Sequence, residues 1–178
     1  MKLSKQNKRA IIGGFISLAV MLLGGILIGR LSGYEAKVLI KNSLDGMNTL
    51  CNTIALASAT ILALLLTLLG LSSNSKSRLK ADHYYHVLQI AKLDTAVFIA
   101  AVISFLLFNL PITESENVPN NWYNALYYIS LGISSLLSAG LILVVLMLYN
   151  TVVNIIKIVG LGMTDHPLTI TEDEEEIE

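Results

Sequence analysis

Long uncharged runs separated by short charged segments dominate the pattern of this chain. A helix rises about 1.5 Å per residue and the hydrocarbon core of a bilayer is about 30 Å thick, so about 20 apolar residues span it. Four runs approach or exceed that length, and the pattern predicts four transmembrane helices. We place them at about residues 10–31, 44–71, 94–111 and 122–150, with the last helix extending to residue 159.

The polar segments between these runs predict further elements. Residues 76–92 are basic and helical in character, with aliphatic residues along one side, which is typical of a helix at the membrane surface. Asp94 follows directly, where its side chain can cap the third span by accepting a bond from a backbone N–H. The sequence therefore predicts an all-α integral membrane protein. Residues 1–160 form four transmembrane helices with an interfacial cytoplasmic helix between spans two and three, and residues 161–178 form an acidic cytoplasmic tail.

Composition and charge agree with this prediction and add an orientation. The chain is 54% hydrophobic and 14% charged, whereas soluble domains are about 25% charged. Nine of the twelve Lys and Arg residues lie in the N-terminal segment, in residues 76–92 or at Lys157. Basic residues favour the cytoplasmic side. We therefore predict a multi-pass membrane protein with both termini in the cytoplasm, in the inner membrane if the source is bacterial.

Small and polar residues recur at helical spacing on the predicted spans. The second span carries a polar face, which meets either water in a pore or another helix, because lipid offers polar groups no partner. Small residues on the first and fourth spans predict close helix packing. Both patterns favour a homo-oligomer surrounded by membrane lipid. The pore or polar-interface residues are Asn48, Asn52, Thr60 and Thr67, and the packing residues are Gly25, Gly29, Gly33, Ser130, Ser134 and Ser138.

The sequence carries few residues suited to catalysis or to coupled transport. Cys51 is the single cysteine, and Asp82, His83 and His86 form the only candidate metal cluster. Residues at i and i+3, such as His83 and His86, can face one metal ion, but a catalytic site normally requires a third protein ligand and second-shell support. A coupled transporter is expected to hold an ionisable residue near the bilayer middle. We place Asp94 at the inner end of the third span, so none is expected there. We therefore predict a protein that is not an enzyme and has no cofactor or metal.

The cytoplasmic end is the predicted surface for a protein partner or for regulation, since basic and acidic groups meet there. Direct nucleic-acid binding is not expected. The favoured function is an oligomeric membrane subunit that engages a cytoplasmic partner and forms a gated ion-conducting pore. A non-conducting anchor or sensor of a multi-protein complex, and a small membrane enzyme with a cytoplasmic-face site, remain open alternatives. The partner or regulatory residues are Lys76, Arg78, Lys80, His83, His86, Asp94, Asn154, Lys157, Glu172, Glu174 and Glu175.

Overall fold

The protein forms four helices in a computed structural model that describes residues 5–27, 33–73, 81–110 and 119–157. The helices are α1 (Lys5–Leu27), α2 (Gly33–Ser73), α3 (Ala81–Phe108) and α4 (Asn120–Ile155). The prediction of an all-helical protein is confirmed over the described residues. The predicted acidic tail and its residues Glu172, Glu174 and Glu175 lie outside them.

Three of the helices are long and apolar enough to cross a bilayer. Their candidate spans are Tyr34–Gly70, Tyr84–Phe108 and Trp122–Ile155, whereas the apolar stretch of α1, Ile11–Gly24, is shorter. These three helices suggest a multi-pass membrane protein. At about 1.5 Å per residue, the 41 residues of α2 measure about 60 Å, twice the thickness of a hydrocarbon core.

The second helix begins earlier than the sequence predicts. We expected residues 31–44 to connect two spans, but α2 starts at Gly33. Its first turns are held by tertiary packing: Ala36 and Ile40 are buried against Tyr123 and Tyr127 at the start of α4. This small cluster removes apolar surface from solvent, which stabilises helical turns that local sequence does not demand.

The predicted interfacial helix and third span are, over residues 81–108, one continuous helix. The reason is a single buried stripe with spacings of three and four residues, which is the repeat of one helix face. The prediction that Asp94 caps the start of a separate span is therefore wrong, because thirteen residues of the same helix precede it. The stripe consists of Val87, Ile90, Asp94, Val97 and Ala101.

Helix α4 lies at the centre of the packing and contacts α1, α2 and α3. The α2–α3–α4 core includes Ile54, Ile90 and Val144, all essentially inaccessible to solvent. Helix α1 packs on α4 where it has glycines: a Cβ at Gly13 would lie 2.5 Å from Cδ1 of Leu146. Between α1, α3 and α4 remains an apolar groove of about 400 Å³.

Candidate functional site

Helix α2 presents a polar and small-residue face on the side opposite the core. The residues of this outward face follow each other at three- and four-residue spacing and are all exposed, since the described helices leave them uncovered. The buried side of α2 is instead mainly apolar and contains Cys51, Ile54 and Leu65. The outward face consists of Asp45, Thr49, Asn52, Leu56, Thr60, Ala63 and Thr67.

Hydrogen bonding divides the polar residues of the outward face into two kinds. The hydroxyls of Thr49, Thr60 and Thr67 donate to the backbone carbonyls four residues earlier, at 2.7, 2.9 and 3.1 Å. These hydroxyl protons are satisfied by the helix itself. The Asn52 amide makes no hydrogen bond within the described part of the chain, and its two donors and its acceptor remain available to a partner or to water.

Asn48 belongs to a different contact from Asn52. Its Nδ2 donates to Oδ1 of Asn109 at 3.4 Å, and Nδ2 of Asn109 donates back to Oδ1 of Asn48 at 3.3 Å. Asn109 also donates to the carbonyl of Phe105 at 2.7 Å. This reciprocal amide pair joins α2 to the end of α3. Sequence reasoning missed Asn109, whose position after an apolar run shows that it ends a helix but not which residue it meets.

A second polar contact lies deeper, where α3 packs on α2. Asp94 and Ser58 are fully buried, and the Ser58 hydroxyl lies beside the Asp94 carboxyl group. Both carboxyl oxygens and the Ser58 Oγ lack a hydrogen bond of good geometry within the described residues. Lys92 is exposed although it lies only two residues away. About 200° of helical turn separates the two positions, so the ammonium group faces away from the carboxyl group.

The position of Asp94 within its helix differs from the prediction. Ser58 lies twelve residues after Gly46 and seventeen before Ser75 in an uncharged run. Asp94 lies against Ser58 and inside the candidate span Tyr84–Phe108. We expected Asp94 at the inner end of a span, but α3 continues through this residue instead of starting there.

The predicted packing residues are distributed over different environments. Ser130 and Ser138 donate to carbonyls of their own helix, whereas the half-buried Ser134 holds its Oγ without a partner inside the described ranges. Gly25 lies in α1 and Gly33 is the first residue of α2, so these two glycines do not share a helix. Gly29 lies outside the described residues.

The predicted cytoplasmic surface is described only in part. Asn154 is buried near the end of α4, Lys157 is exposed just beyond it, and His86 is half-buried in α3. His83 lies in the first turn of α3, and Lys76, Arg78 and Lys80 lie outside the described residues. Among the described side chains, no three His, Cys, Asp or Glu residues are close enough together to hold a metal ion.

Over the described residues the protein is all-helical, and its three long apolar helices suggest a multi-pass membrane protein. Comparison with protein-family models, with curated proteins and with solved structures found no match to the chain.

Proposed function

We propose that copies of this chain assemble in the membrane through the outward face of α2 and that this face lines an ion-conducting path. One observation carries the proposal: the outward face of α2 carries Asn52, Thr60 and Thr67 beside the apolar Leu56, whereas the buried side of the helix is mainly apolar. Hydrocarbon offers polar groups no partner, so such a face meets protein or water. Copies related by a symmetry axis along the membrane normal bring their α2 faces together around that axis.

In this assembly the chain crosses the membrane four times, with α1 as the additional span. The uncharged part of α1, residues 10–27, measures about 27 Å, close to the thickness of a hydrocarbon core. Both termini and the segment between α2 and α3 then lie in the cytoplasm, as the distribution of basic residues favours. Lipid chains surround the assembly and enter the apolar groove between α1, α3 and α4.

The cytoplasmic end binds a protein partner and carries no catalytic site. Lys157 is exposed at the end of α4, and the sequence adds basic residues at 76–80 and acidic residues at 172–178. Exposed charges act over about 8 Å at physiological salt, so both groups are suited to a partner of mixed charge at the membrane surface. Binding there couples the partner to the state of the membrane assembly.

A non-conducting anchor is the second candidate, and the threonine hydroxyls favour it. Thr49, Thr60 and Thr67 all donate to carbonyls of their own helix. Those donors need no water, so the outward faces of two copies can pack dry against each other. In this case the same interface holds the assembly together without an ion path.

Cysteine cross-linking tests the assembly. In a Cys51→Ala background, Thr60→Cys and Thr67→Cys should each give covalent dimers when membranes are treated briefly with an oxidant or with a bismaleimide. Leu106→Cys on α3 and Leu136→Cys on α4 are controls on other faces, with 63% and 65% of the parent side chains exposed. Cross-linking at the two control positions without cross-linking at Thr60 and Thr67 would exclude the α2 interface.

Conductance in reconstituted bilayers separates the pore from the anchor. Asn52→Leu should abolish conductance while native mass spectrometry still detects the oligomer. Asn48→Leu is the matched control, since the Asn48 amide pairs with Asn109 inside the chain, and this variant should still conduct. An assembly that cross-links through α2 yet never conducts is the anchor.

A further inference from the structure

Asp94 and Ser58 bring together, between α2 and α3, three oxygen atoms that lack a hydrogen bond of good geometry within the described ranges. Both side chains are fully buried, and Asp94 lies within the candidate span Tyr84–Phe108. An ionised carboxylate without a partner is costly in such surroundings, and intramembrane ionisable residues usually serve a function. The contact therefore needs a positive ligand or a neutral carboxyl group.

Among the side chains that the structure describes, the helices packed around Asp94 supply no compensating charge. Helix α2 is uncharged from Gly46 to its end, and Cys51 is its one ionisable side chain in that range. The described part of α4 is uncharged before Lys157. Its ionisable side chains before that point are those of Tyr123, Tyr127, Tyr128 and Tyr149. The charged residues of α1 are Lys5, Lys8 and Arg9, in its first turns.

Within α3, two groups near Asp94 titrate or carry charge. Lys92 is exposed on another face, about 200° around the helix from Asp94. His86 is half-buried and precedes Asp94 by eight residues, with the buried Ile90 midway between them. These three residues share one face of the helix, and His86 lies about 12 Å towards its N-terminal end. His86 is therefore the nearest titratable group on this face from that end.

We propose that Asp94 and Ser58 form a reversible proton-binding site between α2 and α3. A protonated Asp94 is neutral and has one O–H donor, and the Ser58 Oγ beside it can accept that bond. When the contact between the helices opens, the carboxyl O–H bond breaks and the proton passes to water, leaving a carboxylate that water now solvates. Protonation therefore favours the packed arrangement and deprotonation favours the open one.

This proposal is independent of the assembly through α2. Ser58 lies on the buried side of that helix and Thr60 on its outward face. A chain that does not cross-link through Thr60 can still bind a proton at Asp94, and a chain that cross-links can fail to do so. The two proposals are tested by separate measurements.

Labelling with dicyclohexylcarbodiimide tests the site, because this apolar reagent attacks protonated carboxyl groups in apolar surroundings. In proteoliposomes of the full chain, peptide mass spectrometry should find the adduct on Asp94. The labelling rate should be constant while the carboxyl group is protonated and should fall about tenfold per pH unit once it is mostly deprotonated. The exposed Asp45 is an internal control and should remain unlabelled.

Two substitutions identify the role of Ser58. Ser58→Ala should move the midpoint of the labelling curve, because the carboxyl group loses its neighbouring hydroxyl. Ser135→Ala is the matched control, since Ser135 is equally buried but donates to the Leu131 carbonyl in α4, and the midpoint should not move. Equal midpoints in wild type and Ser58→Ala would remove Ser58 from the site.

Three outcomes would overturn the proton site. The first is the absence of an adduct at Asp94, and the second is an adduct whose yield is independent of pH. The third is protection of Asp94 from labelling by Na⁺ or K⁺ at constant pH, which would assign the site to a metal cation. The adduct is located in the wild-type chain, so this result does not depend on the folding of a substituted protein.

Discussion

At the scale of single residues, the surroundings of the α4 glycines decide which positions tolerate a side chain. A Cβ at Gly140 would lie 2.9 Å from Cγ2 of Val97, where α4 meets α3. A Cβ at Gly132 would meet nothing within 4 Å. Valine is branched at Cβ and has little rotamer freedom in a helix, so it cannot move aside without shifting the backbone.

Gly140→Ala should therefore destabilise the protein by about 1–3 kcal/mol, the usual cost of adding a methyl group to a well-packed contact. Gly132→Ala should be neutral or stabilising by up to about 1 kcal/mol, because alanine favours the helix. Denaturant unfolding in a fixed detergent measures both changes. Adding Val97→Ala should recover part of the loss in Gly140→Ala, and an equal effect of the two glycine substitutions would contradict the close approach.

At the scale of elements, the continuity of α3 through Asp94 determines how a proline introduced at residue 95 would affect the helix. Were Asp94 the cap of a separate span, Thr95 would be the first helical residue, where proline is well tolerated. In the continuous helix Ala81–Phe108, proline at this position removes a backbone hydrogen bond and clashes with the preceding turn. The exposed Thr95 side chain, which donates to the Ala91 carbonyl, plays no part in the core.

Thr95→Pro should accordingly cost about 3 kcal/mol or more, whereas Thr95→Ala should change the free energy of unfolding little. Circular dichroism and unfolding midpoints of the two variants provide the comparison. A Thr95→Pro variant as stable as Thr95→Ala would mean that α3 is interrupted before this residue.

The amide pair between α2 and α3 is a second property of the elements. Asn48→Leu and Asn109→Leu should each destabilise the chain by about 1 kcal/mol or less, with a coupling energy near 0.6 kcal/mol in a double-mutant cycle. Asn52→Leu should leave monomer unfolding unchanged, because Asn52 faces outward. Additive effects at Asn48 and Asn109 would show that the pair contributes no joint stabilisation.

At the scale of the whole molecule, the lengths of α2 and α4 place structure outside the bilayer. The first turns of these helices pack together through Ile40 and Tyr123, so in the proposed assembly both helices extend beyond the membrane at the same end. Lys37 lies 5.1 Å from the ring centroid of Tyr123 and adds a cation–π contact to this packing. In the proposed orientation this small cluster is outside the cell.

Accessibility of introduced cysteines tests that orientation. In a Cys51→Ala background, Ser115→Cys should react with an impermeant maleimide added outside, whereas Ser77→Cys should react only after the membrane is permeabilised. Basic residues flank position 77 and acidic residues flank position 115, and basic loops remain in the cytoplasm. Reaction of both positions from outside would refute the four-span topology.

The presence of long helices could be read from sequence because it depends on local properties. Length and uninterrupted apolar character are sufficient to predict the helices of the second, third and fourth runs. The shared face from Asn52 to Thr67 could also be predicted, because its three- and four-residue spacing is a property of one helix. The boundaries were less predictable. The start of α2 depends on Ala36 meeting Tyr123, and the continuity of α3 depends on what its buried stripe packs against.

The polar contacts were decided by tertiary structure alone. Asn48 and Asn109 are 61 residues apart, and their side chains meet because α2 and α3 are antiparallel and in this register. Ser58 and Asp94 meet for the same reason. A sequence determines which residues share a face of one helix, since that follows from 3.6 residues per turn. The packing of one helix against another determines which faces are buried and therefore where a carboxyl group is removed from water.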